Sequence, residues 1–117
     1  MPVKINKPSQ ENVESIVFSV NDPTGMTVHL YKDQWDHIKK RHPEIKPLRK
    51  VSETIKSPDI IQYDDAKEAR IYTAISPANL HMNVFAGVAS ETEFKVRTSF
   101  ITGKLPKGDC IWRRPKK

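Results

Sequence analysis

Cysteine is almost missing. Cys110 stands alone in 117 residues, so no internal disulfide can form and no thiolate metal centre can be assembled from this chain. A thiol-reducing, cytoplasmic setting is the expectation. No apolar run approaches the length of a membrane span. The opening MPVKINKPSQENVES lacks the apolar stretch of a secretory leader, so neither a membrane partner nor export is expected. No segment repeats. TGK at Thr102–Lys104 lacks the rest of a phosphate-binding loop, whose G-x-x-x-x-G-K-[ST] spacing is absent.

Acidic residues are also in short supply, 14 against 20 Lys and Arg, which leaves a formal charge of +6. The excess has two centres. Lys39, Lys40 and Arg41, with Lys46, Arg49 and Lys50 beyond, form one; Lys104, Lys107, Arg113, Arg114, Lys116 and Lys117 form the other, opposed only by Asp109. Such fields attract polyanions and speed encounter with them. The 37% hydrophobic share suits a globular chain, and the length suffices for one core.

Residues 1–13 are polar and proline-bearing and read as a flexible arm ahead of a single domain at 14–117. SIVFSV (Ser15–Val20) and MTVHLY (Met26–Tyr31) read as strands of a hairpin around the turn signal NDPTG. A helix is predicted from Lys32 to the residues before Pro43. Trp35, Ile38 and His42 share one of its faces with Tyr31; Asp33, His37 and Arg41 make a second row at spacings of four. PLRKVSETIKSPD predicts a second helix with Leu48, Val51 and Ile55 as its apolar stripe. The period then changes to two through IIQY, ARIYTAI, LHMNVFAGV and FKVRTSFI, with DCIWRR as a short last strand. The expected fold is α+β: two N-terminal helices after a short hairpin, packed on a curved four- to five-stranded antiparallel sheet.

W-x-H-I-x-x-R-H-P-E at Trp35–Glu44, a second helix running to Pro58-Asp59, and K-V-R-T-S-F at Lys95–Phe100 carry a family likeness. Together they resemble the phage-associated barnase–EndoU–colicin–RelE-like (BECR-fold) nucleases, over roughly Thr27 to Trp112. The resemblance implies a toxin-like ribonuclease that needs neither metal nor cofactor. It also implies catalytic groups drawn from a helix and from the inner face of the sheet.

RNA carries its own nucleophile, the 2′-OH. Cleavage needs a base for that proton, an acid for the leaving 5′-oxygen, and cations for the phosphate oxygens. Histidine suits both proton roles and arginine the third. His37 and Arg41 are four apart and project from one helix face, a proton carrier beside a phosphate clamp; the alternative is a solvated face on which Asp33 pairs with either. His42, on the Trp35 and Ile38 face, is the reserve candidate or a partly buried structural histidine. His29 reads as structural or solvent-facing, and His81, at the opening of a strand, is uninformative. Alternation on the late strand sets Arg97 and Ser99 on one face and Thr98 on the other; either face could hold phosphate. Lys40, Lys104 and Arg113 are candidate RNA contacts, and Trp112 is a base-stacking platform or a core residue.

Two other readings compete. Pro58-Asp59 with Glu93-Phe94-Lys95 imitates the PD…ExK signature of metal-dependent DNA nucleases, but two whole strands separate them where adjacent strands are required. A basic binding module without catalysis explains the charge equally well and would leave its nucleic acid intact. The expected substrate is RNA, tRNA included, and the positive field also suits capture by an acidic antitoxin or immunity protein.

Overall fold

β-branched and aromatic residues dominate IVFSVN, apolar and polar residues alternate through TVHLY, and both segments extend, β1 over Ile16–Asn21 and β2 over Thr27–Tyr31, paired antiparallel. The structure, a computed structural model, describes residues 15–45, 47–78 and 80–115; the arm expected at 1–13 lies outside these. The hairpin turn is built by Asp22. Its Oδ1 accepts the amides of Thr24 and Met26 and the Thr24 hydroxyl, while Gly25 takes φ +96°, a conformation open to a residue without Cβ. The other carboxylate oxygen reaches across to strand β4 (Ala69–Ala74), accepting the Tyr72 hydroxyl at 2.6 Å and Arg70 Nη1 at 2.7 Å. Burial by itself would raise the Asp22 pKa; the donors from Tyr72, Thr24 and Met26 together outweigh it and hold the carboxyl below its usual range. Burial, and then the carboxylate beside it, push the Tyr72 phenol well above its ordinary value.

Helix α1 (Lys32–Arg41) begins directly after β2. Asp33 in its first turn and Lys39, Lys40 and Arg41 in its last complement the helix dipole. It stops at His42, whose φ of −133° leaves helical space ahead of Pro43. Trp35 and Ile38 are its buried residues. Helix α2 (Leu48–Lys56) follows Pro47 and buries Val51, Thr54 and Ile55. Neither helix, nor any other among the described residues, is long and apolar enough to cross a membrane.

Five further strands complete the sheet: β3 (Ile60–Asp64), β4, β5 (His81–Val88), β6 (Glu93–Thr102) and β7 (Asp109–Arg113). The expected four- to five-stranded antiparallel sheet with N-terminal helices is corrected here. All seven strands share one mixed sheet in the order β1-β2-β6-β5-β4-β3-β7, and the helices come after its first two strands. The mixing comes from one junction, where β2 runs parallel to β6 through Thr27–His29 against Glu93–Lys95. The physical reason is burial: Val28 and Leu30 of the hairpin enter the same core as Phe94 and Val96 of β6, and docking also covers a hairpin edge that would otherwise be open. Trp35, Ile38, Val51 and Ile55 close this core from the helical side, against Ile61, Tyr72, Val84 and Ala86.

Candidate active site

Strand β6 is irregular at its centre. Val96 stands opposite Ala86 and Thr98 opposite Phe85, which leaves Arg97 as the extra residue of a β-bulge. A bulge resets the alternation of side chains and re-aims those beside it. Phe94 and Val96 are buried before it and Ser99 after it, while Arg97 is exposed and Thr98 partly so. The regular alternation expected for Arg97, Thr98 and Ser99 is therefore corrected. Ser99 turns inward with its partner Val84 and donates its hydroxyl to the Asn83 carbonyl at 2.7 Å, a packing role.

The bulge also frees a carbonyl. Arg97 O is taken by the Gln34 side chain of α1, so the helix is fastened to the strand at this point. His37 and Arg41 lie three and seven residues beyond Gln34, on the same helical face. That row then overhangs β6. His37, Arg41, His42, Arg97, Thr98 and Phe100 line one cavity of about 350 Å³. The helix pair and the strand residues singled out in the sequence meet there, Ser99 excepted.

Arg97 itself is placed by two neighbours. Its guanidinium lies against the bare Cα of Gly87, where a Cβ would come within 2.2 Å of Nε, and its Nη1 donates to the Lys67 carbonyl at 2.8 Å. A guanidinium has five N–H donors, so this single bond leaves most of them for an anion. Among the described residues neither Arg41 nor Arg97 pairs with a carboxylate. Asp33 pairs with neither His37 nor Arg41, so the solvated-face alternative loses its ion pair. Asp36, one residue from His37, is engaged by Lys32 at 2.9 Å and Lys39 at 3.7 Å; the Lys32 hydrogen bond holds its carboxyl below the ordinary range. His42 packs edge-on to Phe100, ring centroids 5.7 Å apart, with Glu44 Oε2 3.6 Å from its Nδ1. Two imidazoles and two guanidiniums without a carboxylate partner around one cavity supply proton carriers and cations of the kind a phosphodiester reaction uses.

The remaining candidates lie elsewhere. Lys40 is exposed on α1 and Lys104 follows β6, and neither lines the cavity. Trp112 and Arg113 sit on β7, at the opposite side of β5, β4 and β3, and Trp112 packs against the core. His29 bonds Ser19 Oγ at 2.7 Å, and His81 Nδ1 accepts the Ser76 amide at 3.2 Å. Asp59, of the PD…ExK alternative, is held by Arg114 Nε at 3.0 Å and by the Ile75 amide, while Glu93 opens β6 beyond two intervening strands. No three His, Cys, Asp or Glu among the described residues gather as metal ligands. A larger cavity, about 800 Å³, lies between α2 and the ends of β4, β5 and β6; its lining of apolar, hydroxyl, Lys and Glu side chains contains no imidazole or guanidinium. Gln34, Gly87 and Phe100 had no signal in the sequence, since each depends on the bulge or on a strand far along the chain. In comparisons with known protein families, curated proteins and solved structures, none matches this chain.

Proposed function

We propose that this protein is a metal-independent endoribonuclease of the BECR type that its motifs resemble. The observation that carries the reading is the single cavity shared by His37, Arg41, His42, Arg97 and Thr98. In the reaction one imidazole, neutral, takes the proton of the 2′-OH. The 2′-oxygen bonds to phosphorus and the bond from phosphorus to the 5′-oxygen breaks. The second imidazole, protonated, gives its proton to that leaving oxygen, and the products end in a 2′,3′-cyclic phosphate and a 5′-OH. His37 is the leading proton-transfer group and His42 the second. Arg41 and Arg97 balance charge on the phosphate oxygens, where removing one such contact costs about 10²–10³-fold in rate, and Thr98 offers a hydroxyl.

A cytoplasmic setting and control by an acidic antitoxin or immunity protein belong to the same proposal; the +6 charge suits such a partner. Labelled tRNA and a generic RNA, incubated with the protein in EDTA, test the reading. Cyclic-phosphate fragments that vanish with His37→Ala and Arg97→Ala support it. RNA bound but left intact assigns a binding module instead, and RNA neither bound nor cut rejects both.

A further inference from the structure

The cavity continues outward along an aromatic row. His42 meets Phe100 edge-on, and Phe100 meets Phe85 at 5.4 Å and 74°. Lys67 Nζ stands 5.8 Å from the Phe85 ring, and the Arg97 guanidinium holds the Lys67 backbone beside it. Phe85 and Phe100 are partly exposed, and neither belongs to the apolar core that takes in their chain neighbours Val84 and Ala86. The Phe85 ring, with Phe100 edge-on to it and Lys67 and Arg97 beside it, offers a stacking face with a positive rim.

We infer that this row is a base-stacking track for single-stranded RNA, leading into the cavity; the identity of the phosphate at its head rests on the nuclease reading. Every base has a π-face, so such a platform accepts any sequence, but a duplex keeps its bases stacked on one another and cannot use it. In the free protein the Lys67 ammonium covers Phe85. An exposed cation–π contact is weaker than the stacking of a base on an aromatic ring, so the base displaces the ammonium. The displaced Lys67, on its flexible stem, then meets the backbone phosphate alongside Arg97. Asp65 and Glu68 of the same turn end the positive path there. Trp112, read from the sequence as platform or core residue, packs against the core, and the stacking face falls to Phe85.

The test uses a fluorescein-labelled 2′-O-methyl oligoribonucleotide, which lacks the attacking hydroxyl, as a single strand and as a duplex, with binding read by anisotropy. The single strand is expected to bind more tightly. Phe85→Leu keeps the apolar cover but removes the π-face and is expected to weaken single-strand binding roughly tenfold with little effect on the duplex. Phe85→Trp is expected to retain the wild-type preference, with melting temperatures confirming that both variants fold. Equal affinity of Phe85→Leu and wild type for the single strand, equal weakening by Leu and Trp, or preference for the duplex overturns the inference. RNA cleavage with a Phe85-insensitive single strand removes the track alone. Phe85-dependent binding by a wild-type protein that cuts nothing supports the track and removes the catalytic reading alone.

Discussion

A Cβ at position 87 would stand 2.2 Å from Arg97 Nε and 2.4 Å from its Cζ and Nη2, well inside contact distance. Gly87→Ala must therefore displace the Arg97 side chain from its seat and from the Lys67 carbonyl. The backbone tolerates the change, since Gly87 does not have positive φ. Alanine gains about 0.5–1 kcal/mol over glycine in a strand interior, and losing one exposed hydrogen bond costs about 0.5–1.5 kcal/mol. These oppose, so stability is expected to stay within about 1 kcal/mol of wild type, or several degrees in Tm for a domain this small. Activity is another matter. Arg97→Ala is expected to lower kcat/KM about 10²-fold, or roughly 2.7 kcal/mol, and Gly87→Ala to lose a substantial part of that while the arginine remains in the chain. The cycle between the two decides the mechanism. If Gly87 acts through Arg97, the double variant cleaves RNA no more slowly than Arg97→Ala. A double variant slower by the full product of the two, or a Gly87→Ala protein cleaving at the wild-type rate, would refute the assignment.

Four more outcomes are expected. The Asp22 carboxyl has a lowered folded pKa, so its contribution is present above the unfolded value, about 3.9, and is lost as pH falls through the folded one. The urea midpoint should drop on acidification below about pH 4, and Asp22→Asn should flatten that dependence. Tyr72 has the opposite sign: its raised pKa stabilises the fold below about pH 10, and the contribution fades as pH rises further, which Tyr72→Phe should abolish in alkaline urea titrations. Ser99→Ala, which removes the donor to the Asn83 carbonyl, should cost about 1 kcal/mol of stability by denaturation and leave cleavage by the folded protein unchanged. Ile38→Ala, at a position with 0% exposure, should cost about 2–5 kcal/mol.

The elements were legible because each is written locally. The seven strands fall in the segments read as extended, although their joining in one seven-stranded mixed sheet was not expected, and the helix from Lys32 to the residues before Pro43 is observed at Lys32–Arg41. Spacings of three and four correctly put Trp35 and Ile38 inside and His37 with Arg41 outside. His42 was harder, since it packs on Phe100 as a structural residue would and also lines the cavity. Strict alternation groups Ser99 with Arg97, and the bulge in β6 breaks that alternation.

Sequence alone determined where the chain coils and extends, which side chains must leave water, and that its cations outnumber its carboxylates. These follow from periodicity within a segment and from composition. Tertiary structure alone decided that β2 lies parallel to β6, that β6 bulges at Arg97, and that Gln34 catches the freed carbonyl and swings His37 and Arg41 over Thr98. The β2–β6 pairing and the Gln34 bond join segments some sixty residues apart, the bulge expresses the fit of β6 to β5, and no period within any one segment encodes either.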